Sequence, residues 1–235
     1  MKERPILFSA QMIRAILDGR KTMTRRIVKP QPGERWCEVG DVYLTKDSLW
    51  PLINTAAPGG YQVSRLRCPY GQVGDRLWTR ETWWQRGEWL DKTGSYPDGP
   101  SDDPRDYKWS GWAPNGPEFV KNCVSYETPD ADELQHGKWR KLPSIYMPRW
   151  ASRINLEIAS VRAERLQDIS EDNARAEGVE RDSEPCDHVR QGCDDIGCLG
   201  PGYRSGFGIL WDQINGKRAP WSSNPLVWVI EFVKV

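Results

Sequence analysis

The stretch GRKTMTRR, residues 19–26, lies between a predicted first helix and a predicted strand, and the rest of the fold is inferred outward from it. It holds one Lys, two Thr and three Arg, and it contains no acidic residue. A cluster of this kind is either a solvated basic turn or a binding or catalytic site. The eight residues by themselves leave both interpretations open.

The residues on either side of this stretch predict a strand, a helix and a second strand. SAQMIRAILDG, residues 9–19, has Ser9 in position to cap a helix and Gly19 in position to end it. The preceding PILF, residues 5–8, predicts a short strand, and TMTRRIVKP, residues 22–30, predicts another that is ended by Pro30 and Pro32.

The C-terminal part of the chain alternates predicted strands with short predicted helices. Residues 152–166 and 225–235 have strand patterning, whereas 170–178 and 205–216 have helical spacing and helix-capping residues. Strands interleaved with short helices predict an α+β, barrel-like fold, and we expect a single domain over residues 1–235.

Two long stretches interrupt this pattern. Residues 85–140 are rich in Gly, Pro, Asp and Trp, and residues 181–204 are polar and rich in Cys and Gly. Neither stretch has a clear helical or strand period, so both are predicted to be surface insertions. Two Gly-Asp turns, in residues 38–45 and 72–79, are each predicted to lead into a strand.

Composition restricts the class of protein. The chain has 33 basic and 33 acidic residues, so any contact with nucleic acid must come from local patches. The N-terminal residues lack the apolar core of a signal peptide, and the longest apolar run, residues 226–233, is too short to cross a bilayer. We therefore expect a cytoplasmic protein that does not span a membrane.

Histidine-based catalysis and nucleotide-phosphate loops are disfavoured. The sequence has only two histidines and contains neither a Walker loop nor a G-x-G-x-x-G motif. One cluster of soft ligands is a candidate structural zinc site, with free thiols in a loop as the alternative. Its members are Cys186, His188, Cys193 and Cys198. No other cofactor is expected.

Two stretches combine cations with aromatic residues. Residues 13–29 hold six cations against one acid, and residues 138–153 hold five cations, three aromatic residues and no acid. Cations for phosphates and aromatic rings for bases are typical of a surface that binds RNA or single strands. The alternatives are a solvated charged face and, for most of the 13 Trp, simple core packing. The candidate binding residues are Arg20, Arg25, Arg26, Trp78, Arg80, Trp83, Arg149 and Trp150.

The basic octet also offers catalytic chemistry. Burial and neighbouring arginines favour the neutral amine of a lysine, which can then act as a general base. A threonine hydroxyl activated by that amine can attack an acyl carbon. The octet alone does not decide between this chemistry and a basic turn.

Several motifs resemble those of the ASCH family. ILDGRKTMTRR, residues 16–26, is similar to its signature, in which a helix ends in Gly-(Arg/Lys)-Lys-Thr followed by Thr and Arg. VGDRLWTRETW (73–83), LQDISEDNARAEGV (166–179) and NPLVWVIEFV (224–233) resemble later elements, and MPRWASRI (147–154) resembles the prophage-encoded branch. The resemblance covers about residues 4–84 and 143–235 and skips both predicted insertions.

The resemblance implies a PUA-like fold, a small mixed β-barrel flanked by short helices, and a link to RNA or modified nucleosides. Compact bacterial members hydrolyse the acetyl amide of N4-acetylcytidine with a Lys, a Thr and a Glu. These map to Lys21 as base, Thr24 as nucleophile and Glu177 as the residue that orients the amine. Glu171 and Glu180 are the alternatives if the alignment shifts.

The assigned trio has one geometric requirement. Residues 21 and 24 point to opposite faces of a regular strand, so they converge on one pocket only if the chain bends after Gly19. Glu177 has support from the residues themselves, because a carboxylate at the end of a helix opposes the helix dipole.

Three functions remain open on the sequence. The first is an amidohydrolase for an acylated pyrimidine nucleoside. The second is an RNA-binding module without catalysis, and the third is a ribonuclease that uses the same trio. RNA or a modified nucleoside is the expected partner in each case.

Overall fold

A computed structural model describes residues 1–31, 36–37, 49–54, 62–91, 107–111, 123–135, 138–183 and 199–235. Its backbone contacts divide the chain into two compact units. The first unit comprises Met1–Arg4, Gln11–Leu77 and Leu156–Val235, and the second comprises Pro5–Ala10 and Trp78–Asn155.

The largest sheet has five strands in the order β1-β6-β11-β12-β2. Their bounds are Glu3–Leu7 (β1), Arg76–Arg80 (β6), Asn155–Arg165 (β11), Leu226–Lys234 (β12) and Met23–Ile27 (β2). Strand β12 pairs antiparallel with β11 on one side and with β2 on the other. Because β12 is central, its residues 226–230 are all buried, which explains its nearly unbroken apolar sequence.

Three helices belong wholly or largely to the first unit. Their bounds are Ala10–Leu17 (α1), Glu171–Ala176 (α3) and Tyr203–Asn215 (α4). Helix α1 buries Ile13, Ala15 and Ile16, and Gly19 ends it at a φ of 73°, as the sequence predicts. The apolar sides of α3, α4 and the sheet share one core cluster, whose fully buried members include Leu166, Ala174, Val227 and Val229.

The second unit contains a sheet that falls largely in the predicted first insertion. Its strands have the order β10-β7-β8, with bounds Trp139–Leu142 (β10), Trp83–Asp91 (β7) and Tyr107–Gly111 (β8). Strand β9 (Val124–Ser125) also pairs with β7, and helix α2 is Ala131–Gln135. The sequence predicts little regular structure here, because aromatic residues lie on both faces of β7 and obscure its alternation.

A third sheet of three strands has the order β3-β4-β5, with bounds Trp36–Cys37, Leu49–Asn54 and Gln62–Arg67. The Gly-Asp turn predicted in residues 38–45 lies outside the described residues. Its counterpart in residues 72–79 is confirmed: Gly74 has a φ of 82°, and β6 begins two residues later. The Asp75 carboxylate fixes this turn by accepting the backbone N–H of Lys2 at 2.7 Å.

The predicted fold class is confirmed at the level of a mixed α+β protein. Within the described ranges the strands form three sheets and no closed barrel. The PUA-like barrel therefore stays a prediction. None of the helices described is long and apolar enough to cross a membrane.

Candidate functional site

The structure brings Lys21 and Glu177 together in the first unit. The Lys21 ammonium donates to Glu177 Oε2 at 2.7 Å and to the Glu177 main-chain oxygen, also at 2.7 Å. Both residues are buried, with 2% and 3% of their surfaces exposed. The pair is therefore a buried ion pair between residues that are far apart in sequence, and not a solvated basic turn.

The backbone around Gly19 explains how Lys21 reaches this position. The N–H groups of Arg20 and Lys21 both donate to the carbonyl of Ala15, which turns the chain sharply at the end of α1. Lys21 precedes β2 and forms an isolated bridge with Glu177, while the N–H of Thr22 donates to the carbonyl of Ala176 at 2.9 Å. The chain thus bends after Gly19, but Lys21 does not line the cavity that Thr24 lines, so the convergence of both residues on one pocket stays a prediction.

Gly178 makes this close approach possible. Its φ of 76° is unfavourable for other residues, and a Cβ there would lie 2.7 Å from the Lys21 Cβ and 2.9 Å from the Ala15 Cβ. Any larger residue would push α1 and Lys21 away from the end of α3. The Gly after Glu177 is thus required by both backbone conformation and space.

Helix α3 positions Glu177 at its C-terminal end. Ser170 caps the other end by accepting the N–H of Asn173 at 3.2 Å, as the sequence predicts. The carbonyls at the C-terminus of a helix carry partial negative charge, so a carboxylate there is locally unfavourable. Two buried cations, Lys21 and Arg25, offset this cost by contacting the Glu177 carboxylate.

Arg25 connects Glu177 to a second carboxylate. Its Nη1 donates to Glu177 Oε1 at 3.2 Å, and its Nε donates to Glu164 Oε1 at 3.1 Å, while Nη2 also contacts Glu164. Arg162 donates to Glu164 Oε2 at 3.1 Å and contacts Glu231. With Lys21 included, the result is a network of three cations and three carboxylates, in which Arg25 contacts Glu177 Oε1 and Lys21 contacts Oε2.

Sequence reasoning missed the outer part of this network. Arg162 and Glu164 are alternate residues of β11, and Glu231 is on the adjacent strand β12. The alternation of charges was visible in the sequence, but pairing them required the strand register.

Burial lowers the pKa of Lys21 from its ordinary value. The dominant cause is desolvation of the ammonium. The Glu177 carboxylate raises the pKa in opposition, and the positive charges of Arg26 and Arg25 lower it further. A depressed pKa increases the fraction of neutral amine, which is the form that accepts a proton.

Thr24 and Glu177 line a common cavity of about 210 Å³ in the first unit. Arg25 and Arg26 supply two further polar walls. The remaining lining is mostly apolar and comes largely from α4, with Phe207, Leu210, Trp211 and Ile214. Lys21 does not line the cavity, but its ammonium donates to the Glu177 carboxylate, which does. A few convergent polar groups in an apolar pocket are typical of a small-molecule site.

A larger cleft of about 630 Å³ in the same unit does not contain the trio. Arg20 and Thr22 line it, and Arg20 forms an exposed ion pair with Asp18 at 3.0 Å. We place the candidate site in the smaller cavity, because Thr24, Arg25, Arg26 and Glu177 meet there.

The two alternative glutamates have other positions. The Glu171 carboxylate accepts the N–H groups of Tyr203 and Arg204, at 2.8 and 3.0 Å, and thereby caps the start of α4. Glu180 is exposed and lines the larger cleft. Of the three, only Glu177 forms a described bond with Lys21.

The remaining candidate binding residues lie in the second unit. The guanidinium groups of Arg80 and Arg149 lie 4.7 and 6.0 Å from the ring centroid of Trp78. Trp83 is 1% exposed and meets the half-buried Trp150 edge to face at 5.9 Å. Trp83 and Trp78, the latter 8% exposed, therefore match the core-packing alternative. The candidate zinc ligands Cys186, His188, Cys193 and Cys198 lie outside the described residues. Within the part of the chain that is described, no group of three metal-ligating side chains occurs.

Comparisons with known proteins returned no significant match to a family model, a curated protein or a solved structure.

Proposed function

We propose that this protein is an ASCH-type amidohydrolase with a PUA-like fold that removes the acyl group from N4-acylated cytidines. The observation that supports this proposal is the buried Lys21–Glu177 pair, whose carboxylate shares a small cavity with Thr24. The motif resemblance assigns the same three residues from sequence alone. A cavity of about 210 Å³ lies below the roughly 300–1,000 Å³ of pockets for drug-sized ligands, which favours a small ligand such as a modified base.

The proposed reaction begins with the Thr24 hydroxyl. Its oxygen forms a bond to the acyl carbon of the substrate amide. Its proton passes to the Glu177 carboxylate, which lines the cavity, and from there to the Lys21 amine in its neutral form, which the lowered pKa of Lys21 favours. Collapse of the tetrahedral intermediate breaks the C–N bond, and the pair returns the proton to the N4 amine of the leaving cytidine. Water then releases the acyl group from Thr24 as a carboxylic acid.

The arginines supply electrostatic support. Arg25 and Arg26 line the same cavity, and fixed positive charge there stabilises the oxyanion of a tetrahedral intermediate. Arg25 also holds Glu177 Oε1, which leaves Oε2 to Lys21 and fixes the carboxylate in one orientation.

Deacetylation of N4-acetylcytidine, followed by chromatography, tests this function. We expect turnover by the wild-type protein and at least a hundredfold loss of kcat/KM in Lys21→Ala, Thr24→Ala and Glu177→Gln. Thr22→Ala and Glu180→Gln are matched controls, because both residues are exposed, close in sequence to the trio and outside the cavity that Thr24 and Glu177 line. Absence of wild-type turnover, or equal loss in the controls, would overturn the proposal.

An RNA-binding module without catalysis is the second candidate. The half-buried neighbours Arg149 and Trp150 favour it, because cations beside aromatic rings are typical of RNA-binding surfaces. Salt-sensitive RNA binding without turnover of the nucleoside would support this function. Shortening of the bound RNA, abolished in Thr24→Ala, would instead support a ribonuclease.

A further inference from the structure

The outward face of the β7–β10 pair in the second unit carries alternating rings and cations. In the strand register, Arg86 lies opposite Trp139, and Lys141 lies opposite Trp84. Residues two apart on a strand share a face, so all four side chains lie on one side of the sheet. We call these four residues, Trp84, Arg86, Trp139 and Lys141, the β7–β10 face.

The opposite side of the same strands is the core of the unit. Trp83 and Leu142 pack there with Met147, Ala151 and Val124. On the β7–β10 face, by contrast, Lys141 is exposed and the other three residues are half-buried. Since the core is already filled from the other side, these two tryptophans are not needed to close it.

The rings and cations of the β7–β10 face are in mutual contact. The Arg86 guanidinium lies 6.0 Å from the Trp139 ring centroid, and the Lys141 ammonium lies 5.8 Å from that of Trp84. The two rings occupy diagonal corners of the face, and the cations occupy the other two. This arrangement holds each ring beside a positive charge at the surface.

We propose that the β7–β10 face binds single-stranded nucleic acid. Unpaired bases stack on the rings of Trp84 and Trp139, while Arg86 and Lys141 neutralise the adjoining phosphates. A duplex hides its bases from such rings, and an acidic peptide uses the cations but has no bases to stack. Glu88 lies on the same side of β7, and its negative charge, which repels phosphates, limits the proposed binding surface at that end. Because all four residues belong to the second unit, the proposal does not rest on the hydrolase.

Fluorescence anisotropy with labelled twelve-nucleotide oligouridylate measures this binding. We expect Trp84→Ala/Trp139→Ala to weaken binding at least tenfold. We expect Arg86→Ala/Lys141→Ala to reduce the slope of log Kd against log salt by about 1.4, because about 0.7 is lost for each phosphate contact on a single strand. Arg140→Ala is the matched control: it removes an exposed cation from the same strand, on the other side of the sheet, and should leave affinity nearly unchanged.

Further probes separate the chemical classes. Oligodeoxyuridylate of the same length shows whether the sugar matters, a paired RNA duplex tests for stacking on free bases, and polyglutamate tests for a simple polyanion site. Equal binding of duplex or polyglutamate, or wild-type affinity in the double Trp variant, would overturn the proposal. If the alanine variants lose their folded circular dichroism signal, Trp84→Leu/Trp139→Leu keeps apolar volume without the rings and decides the question.

Discussion

The Glu177 carboxylate accepts hydrogen bonds from two buried cations, Lys21 and Arg25. Each of these cations donates to one oxygen of that carboxylate. The consequences of removing the partners are therefore unequal. Without Glu177, Lys21 loses this carboxylate and lies near the positive charge of Arg25, which keeps Glu164. Without Lys21, the Glu177 carboxylate is still compensated by Arg25.

We expect Glu177→Leu to destabilise the protein by about 3–5 kcal/mol, because breaking a buried ion pair from one side leaves uncompensated charge. Lys21→Met should cost less, since Glu177 keeps its bond to Arg25. Urea denaturation of both variants and the wild-type protein measures the difference. An equal or reversed order would show that the Arg25 contact does not compensate Glu177.

The pH dependence of stability provides a second measure of Lys21. Burial lowers the pKa of Lys21 in the folded protein, so between that pKa and the ordinary value of 10.5 the unfolded chain binds the additional proton. The free energy of unfolding of the wild-type protein should therefore rise with pH relative to Lys21→Met, by at most about 1.4 kcal/mol per pH unit. Denaturation at several pH values from 7 to 10 checks this. A difference that stays flat or falls would mean that the pKa is not depressed.

The junction of α3 with the start of β2 depends on one residue without a side chain. At Gly178 a positive φ and the approach of Lys21 coincide, whereas Gly19 has a similar φ of 73° with no atom within 4 Å of the added Cβ. Substitutions at the two glycines therefore distinguish the cost of a positive φ, which both share, from the cost of steric crowding, which only Gly178 has.

We expect Gly178→Ala to destabilise the protein by about 1–3 kcal/mol more than Gly19→Ala, because its Cβ meets the Cβ atoms of Lys21 and Ala15. Thermal denaturation of the two variants gives the comparison. In the deacetylation assay Gly178→Ala should also lose more activity than Gly19→Ala, because it displaces the Lys21 amine. Equal effects on stability and activity would show that the site accommodates the added methyl group.

The sequence predicts two strands of the largest sheet and two of the helices well. The strand at PILF, the helix that ends at Gly19, the short helix capped by Ser170 and the closing strand are all confirmed. Each of them has a local signal, such as a capping residue or a glycine with positive φ. The contact of Lys21 with Glu177 follows from no local signal, and only the motif resemblance pointed to it.

The strands of the second unit illustrate the opposite case. Strand β7 has tryptophan on its buried side at Trp83 and on its outer side at Trp84, so the apolar pattern lacks a period of two. The two faces of β7 both carry tryptophan and differ instead in charge, because a cation, Lys141, lies beside the ring of Trp84 on the outer face. A pattern that counts only apolar residues does not detect such a strand.

Net neutrality conceals how charge is distributed in this protein. The network of the first unit pairs three cations with three carboxylates. Lys21, Arg25 and Glu177 are buried, and the partly exposed Arg162 is paired with Glu164 and Glu231, so these charges largely cancel in the external field. In the second unit Arg153 is likewise paired with Glu81 by two bonds of 2.9 Å. Strand β10, with the sequence WRKL, holds two cations and no acidic residue. A total of zero is therefore compatible with a locally basic surface.

The separation of Lys21 and Glu177 along the chain, 156 residues, has a consequence for the kinetics of folding. Contacts that close so long a loop generally form after local structure, and they are weak in the folding transition state. Lys21→Met should then accelerate unfolding and leave the refolding rate almost unchanged, as stopped-flow chevron plots can show. A matching decrease in the refolding rate would place the pair in the nucleus instead. In the expected case, the residues proposed for catalysis also determine how long the native state survives once formed.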